Sequence, residues 1–165
     1  MQEQLTNIED LLSRLNDSYR QTSILLKDQI DAVVRKQLES LLDAMEELIT
    51  HQETTNQLEQ ELRATVGQLA TSLNISDQLS LGKLLPEVSG DTSKIQRLRE
   101  QLISNVTEAR EHHGQLLQLL QFAQDHTNET LRSIHVLANH HDMRYNQSGK
   151  TASTQNKTFA VNQTA

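Results

Sequence analysis

From Leu5 onward the apolar residues recur in steps of three and four. Leu5, Ile8, Leu12, Leu15 and Tyr19 make one stripe, which continues through Leu26, Ile30 and Val33. Such spacing keeps side chains on one face of an α-helix and predicts a first helix over about 3–33. A second register opens with Leu38, Leu41, Met45 and Leu48, then resumes at Leu58, Leu62, Val66, Leu69 and Leu73. It predicts a helix over about 37–73, with a wholly polar stretch, Thr50 to Gln57, in its middle. Neither glycine nor proline occurs from Met1 to Val66, so nothing there breaks the i→i−4 ladder. One helix of about 70 residues would reach roughly 105 Å at 1.5 Å per residue, too long for a small domain. The chain is therefore expected to fold back near Val34–Gln37, where β-branched residues meet Arg35 and Lys36.

Punctuation comes next. Asn74 to Lys94 contains Gly82, Gly90 and the only proline, Pro86, among several Ser and Asp residues. Leu79, Leu81, Leu84 and Leu85 are too dense for a free linker. They predict one or two helical turns after a Ser76 or Asp77 N-cap, near 79–85, folded over the end of the bundle as a lid. A third long helix is expected over about 92–143, capped by Asp91, Thr92 or Ser93. Its stripe runs Leu98, Leu102, Val106, Ala109, His113, Leu116, Leu120, Ala123, Thr127, Leu131, Ile134 and Ala138. This is the seam of bundle or coiled-coil packing, thinned by its small and polar members. Beyond Tyr145 the periodicity stops. Asn146 to Ala165 is rich in Asn, Gln, Ser, Thr and Lys, with one apolar cluster at Phe159-Ala-Val161. Too little can be buried there to offset the entropy of ordering, so a disordered tail is expected. The fold class is all-α, an elongated antiparallel bundle of about three long helices, with a helical domain at 1–145 and a flexible tail at 146–165.

Composition narrows the function. Aromatic residues make up only 2% of the chain, so Leu and Ile must supply the packing of a thin bundle. With no cysteine, thiol chemistry and a disulfide scaffold are excluded, and a reducing cytoplasm suits the chain. A net charge of −7 argues against a nucleic-acid surface, which needs clustered Lys and Arg. The acidic, amphipathic N-terminus lacks the basic and apolar regions of a signal peptide. No run of about 18 apolar residues is present, so membrane insertion is not expected. The Asn-x-Ser/Thr triplets, such as those at Asn74 and Asn105, are then by-products of an Asn- and Thr-rich composition.

Candidate chemistry is sparse. His112-His113 and His140-His141 are adjacent pairs, which diverge by about 100° on a helix and do not converge on one ion. No His-Glu-x-x-His motif and no i, i+4 His pair offers a metal site. The paired carboxylates, Glu46-Glu47 and Glu59 with Glu61, fall on faces expected to be solvated, without a pocket to perturb them. There is no Gly-rich phosphate loop and no Gly-x-Ser-x-Gly elbow. Neither an enzyme nor a cofactor is expected. The tail reads either as a frayed terminus or as a peptide that orders on a partner, with Tyr145 and Phe159 as anchors.

Three stretches together carry a resemblance. They are Leu58-Glu-Gln-Glu-Leu-Arg-Ala-Thr-Val-Gly-Gln-Leu-Ala-Thr-Ser-Leu-Asn-Ile75 with Leu79 to Leu85, Glu111-His-His-Gly-Gln-Leu-Leu117, and Tyr145-Asn-Gln-Ser-Gly149. In this order they resemble the FlgN family of flagellar type III export chaperones, over nearly the whole chain. Two departures stand out. His112 and His113 replace an Asn-rich run, and Glu46 or Glu47 replaces a Lys common in the second helix. The resemblance implies a cytoplasmic chaperone that holds the C-terminal helical segments of the hook-filament junction proteins FlgK and FlgL and delivers them to the export gate. It implies client binding by the last helix and tail, and docking on the export-gate protein FlhA through the terminal Tyr, here Tyr145. Candidate client contacts are Leu116, Leu117, Leu120, Phe122 and Leu131. Leu116 and Leu120 belong to the seam, whereas Leu117 and Phe122 fall off it and are left to meet a partner. The competing reading is a self-associating coiled-coil scaffold, whose homodimer would use the seam from Leu98 to Ile134.

Overall fold

The computed structural model describes residues 2–75, 80–88, 90–141, 144–145 and 151–152, and side chains only as far as residue 137. Helix α1 spans Gln2–Arg35, α2 spans Leu38–Ser72, and the four-residue α3, Leu81–Leu84, runs into a 3-10 turn at Leu85–Glu87. Helix α4 spans Ser93–His141. The three long helices fall where the periodicity places them, and the fold is all-α in its architecture. The chain divides into two compact units, Met1–Leu120 and Gln121–Ala165.

In the first unit α1 is the shared element. Pairs such as Asn7 with Thr65 and Gln29 with Ala44 run in opposite senses, so α2 is antiparallel to α1. Lys94 with Glu9 and Lys27 with Glu108 run in the same sense, so α4 is parallel to α1 over this unit. Because α1 is packed by two helices, its apolar face is wider than one stripe. Leu11 and Leu25 are buried together with the expected Leu5, Ile8, Leu12, Leu15 and Leu26. The largest cluster joins Leu5, Ile8 and Leu12 of α1 to Leu69 of α2 and Ile95 of α4. Leu85 and Val88 close the same cluster, so the leucine-rich segment packs as a lid. Ser80 occupies the N-cap position of α3; the expected caps Ser76 and Asp77, and Leu79, lie outside the described residues.

The reversal between α1 and α2 uses no glycine. Lys36 has φ +57°, its N–H donates to the Val33 carbonyl at 3.1 Å, and the Gln37 N–H donates to the Ala32 carbonyl at 2.9 Å. These two bonds form a Schellman motif with Lys in the left-handed position. Asn74 repeats the device at the end of α2, with φ +55° and an Ile75 N–H donating to the Ala70 carbonyl at 3.0 Å. A lysine side chain is strained in that conformation, whereas glycine is not. Lys36→Gly is therefore expected to stabilise the protein by about 0.5–1 kcal/mol in urea unfolding, and Lys36→Val to destabilise it by a similar amount. Helix α4 begins after Gly90, whose φ of +144° no side-chain-bearing residue adopts easily. The Ser93 N–H then donates to Asp91 Oδ1 at 3.0 Å, and hydrogen bonding by the Ser93 side chain, with this backbone bond second, holds the Asp91 carboxyl below its usual range.

Two features of the packing depart from the apolar stripes. The polar stretch of α2 is partly core: Thr55 is buried, with its hydroxyl 2.6 Å from Ser18 Oγ, and His51 Nε2 is 3.1 Å from the same oxygen. Between α1 and α4, buried Asn16 donates to the Leu12 and Leu98 carbonyls at 2.8 and 2.9 Å, and its Oδ1 accepts from Asn105 Nδ2 at 2.8 Å. A buried amide satisfied on both of its ends fixes the register of two helices, since a slip would leave it unpaired. The second departure corrects the expected register of α2. Leu38 and Met45 are exposed, and with Leu42 and Ile49 they make an outward stripe; Leu41 and Leu48 turn inward instead.

The second unit contains the rest of α4 and a two-residue antiparallel pair, Arg144–Tyr145 with Thr151–Ala152. Apart from that pair, the tail expected to be disordered at 146–165 lies outside the described residues. Every described side chain from 121 to 137 is exposed.

Candidate functional site

The five apolar residues singled out on α4 do not share one environment. Leu116 is buried, in a cluster with Leu26 and Ala109 against which Ile30, Val33 and Leu48 pack. Leu117, the next residue, is 54% exposed, as its displacement from the seam requires, and Leu120 is 38% exposed. In the second unit Phe122 is 71% exposed and Leu131 is 52% exposed. The Phe122 ring lies parallel to that of His126, one turn on, with centroids 6.3 Å apart. Ile134, Val136 and Leu137 are also exposed, although Ile134 lies on the expected seam. A helix segment showing this many aliphatic and aromatic side chains to solvent has the composition of a contact surface. Tyr145 enters the two-residue pair opposite Thr151; its side chain lies outside the described residues.

The histidine placed on the seam is the other member of its pair. His113 is exposed, and half-buried His112 turns inward, with a buried Nδ1 that has no hydrogen-bond partner among the described residues. One turn before it, Glu108 pairs with Lys27 at 3.0 Å. The hydrogen bond and charge of that lysine hold the Glu108 carboxyl below its usual range, with His112 adding to the effect.

A second region of the first unit was not legible in the periodicity. An open cleft of about 440 Å³ lies between α2 and α4, with α1 beneath and Ser80 and Leu81 at its end. Leu15, Leu62, Val66, Leu102 and Val106 supply its apolar lining; Tyr19, Glu59, Arg63 and Arg110 supply its polar groups. The Tyr19 hydroxyl donates a short hydrogen bond to Glu59 Oε1. Burial pushes the Tyr19 phenol up to about 12, and the hydrogen bond and negative charge of Glu59 push the same way against a smaller opposing pull from Arg110. A raised phenol pKa means that the folded state favours the neutral ring. The contribution to stability is full below pH 10 and is lost as pH climbs from about 10 to about 12. Tyr19→Phe is expected to flatten that part of the alkaline decline, so wild-type and variant melting temperatures converge between pH 9 and 11.5. Parallel curves would show that Tyr19 does not titrate there.

Among the described residues there is no group of three or more His, Cys, Asp or Glu side chains able to hold a metal ion. None of their helices is long and apolar enough to cross a membrane. In comparison with known proteins, a family model described as FlgN protein fits residues 1–153. No curated protein and no solved structure matches the chain.

Proposed function

The chain belongs to the FlgN family, and from that premise we propose that it is a flagellar export chaperone that binds FlgK and FlgL in the cytoplasm and brings them to the type III export gate. The observation that carries this reading is the exposed apolar content of α4 in the second unit, together with family membership. Phe122, Leu131, Ile134, Val136 and Leu137 stand in water over about four helical turns. A client's amphipathic helix has the complementary need, an apolar stripe to be covered before secretion. In this reading Phe122 and Leu131 are client contacts, joined by Leu117 and Leu120 on the same helix. Leu116 supports them from the core. Tyr145 docks on FlhA, and no enzymatic step is involved.

A homodimeric coiled coil is the second reading, favoured by the same exposed residues, which are equally able to pair with a second copy. Size-exclusion chromatography with light scattering separates the two. The chaperone is expected to form a stoichiometric complex with the C-terminal segment of FlgK or FlgL. A dimer that keeps its mass whichever segment is added would sink the chaperone reading.

A further inference from the structure

The cleft between α2 and α4 contributes nothing to the surface just proposed, and it has a chemistry of its own. Its walls are positions 59–67 of α2 and 102–110 of α4, about two helical turns or roughly 12 Å of groove. The floor is apolar and partly solvent-exposed: Leu15 is buried, while Leu62, Val66, Leu102 and Val106 are only half-buried. Arg63 on one wall and Arg110 on the other are exposed, and neither has an ion-pair partner among the described residues. Two arginines on opposite walls of one apolar cleft are conspicuous on a chain of net charge −7. The one acidic group in the lining, Glu59, already accepts the Tyr19 hydroxyl.

Gly67 is the second observation. It lines the cleft in the interior of α2, where glycine costs about 1 kcal/mol relative to alanine. A Cβ there would meet nothing within 4 Å, so packing inside the chain does not require the glycine. What the missing side chain does is lower the wall of the groove, which permits close approach of another backbone.

We propose that this cleft is a docking groove for a two- to three-turn amphipathic helix of a partner protein whose apolar stripe is flanked by carboxylates. Apolar side chains at i, i+3 and i+7 of the partner cover the half-buried leucines and valines, and its backbone crosses close to Gly67. Carboxylates on either side of the stripe meet Arg63 and Arg110, which sets polarity of charge as the basis of selection. The proposal does not depend on the export-chaperone reading, because none of its residues is among the proposed client contacts or is Tyr145.

The probes are two fluorescein-labelled helical peptides of about 15 residues with the same leucine stripe, one flanked by Glu and the other by Lys. Anisotropy titration of the full chain is expected to show the Glu peptide binding about tenfold or more tighter than the Lys peptide. Charge reversal, Arg63→Glu with Arg110→Glu, is expected to invert that preference; both side chains are exposed, and circular dichroism checks that helicity is kept. Gly67→Leu is expected to weaken the Glu peptide about tenfold while the melting temperature holds or rises, since it fills the groove and improves the helix. Phe122→Ser with Leu131→Ser should bind the Glu peptide as wild type does, which separates this site from the proposed client surface. Equal binding of both peptides, or binding of neither, would overturn the proposal, as would a preference unmoved by reversal. So would a dimer in light scattering that reversal dissociates, because the occupant would then be a second copy.

Discussion

Replacing Phe122 and Leu131 together by Ser is expected to weaken binding of the FlgK or FlgL C-terminal segment about a hundredfold or more while the melting temperature hardly moves. Both side chains are more than half exposed in the free protein, so folding gains little from them. Substitutions of that kind are usually within about 0.5 kcal/mol of neutral. On a partner they become buried, and each large apolar side chain is then worth about 1.5–3 kcal/mol, which compounds to the loss stated. Leu116→Ser is the internal control with the opposite signature. Leu116 is 6% exposed and packs with Leu26 and Ala109. Opening that cluster costs about 2–5 kcal/mol of stability, and client binding should fall only in proportion to the unfolded fraction. Isothermal titration with paired thermal melts gives both readouts. If the double serine variant melts well below wild type, the two residues are structural and the surface must be redrawn; if it binds the client normally, the surface lies elsewhere.

That contrast between Leu116 and its neighbours shows what helical periodicity conveys and what it omits. A three-four repeat says which residues share a face, and it located α1, α2 and α4 to within a few residues at most ends. It does not say whether anything covers the face. The α4 stripe continues unbroken from Leu116 to Ile134, yet the first is buried and the last is 56% exposed. The same gap explains Leu38 and Met45, which stand outward because α2 has apolar residues on two faces in its first half and only the Leu41–Leu48 side meets α1. Turn placement was legible from length alone. Its mechanism was not, because Lys36 and Asn74 hold the left-handed position that glycine usually marks.

The polar interior was the least legible part. Asn16, Ser18, Gln29 and Thr55 are buried, and each is a residue type that a hydrophobic pattern assigns to solvent. What makes burial tolerable is pairing: Ser18 with Thr55 and His51, Gln29 with the Ala44 carbonyl, Asn16 with Asn105 and two carbonyls. Apart from the Asn16 bond to Leu12, such pairings join residues 15 to 89 positions apart, and one sequence contains no local trace of them. The α2–α4 cleft was hidden for the same reason. Arg63 and Arg110 look like ordinary solvated charges until the fold brings them to opposite walls of one groove.

Tyr145→Ala is expected to abolish association with the cytoplasmic domain of FlhA and to leave the complex with FlgK or FlgL intact. Tyr145 lies just beyond the end of α4 at His141 and pairs with Thr151. Main-chain bonds make that pairing, so alanine supports it as well as tyrosine does, and the substitution removes the ring without removing the local backbone. An aromatic anchor filling a partner pocket is commonly worth about 2–4 kcal/mol, some thirtyfold to a thousandfold in affinity. Tyr145→Phe keeps the ring and loses only the hydroxyl; it should retain most of the binding if apolar burial dominates, and fall with alanine if a hydrogen bond does. Surface plasmon resonance against the immobilised gate domain, run with and without bound client segment, measures both variants. Normal gate binding by the alanine variant removes Tyr145 from the docking role. Parallel loss of the client would mean that the two roles share one surface, and the division of labour between Tyr145 and the apolar residues of α4 would be wrong.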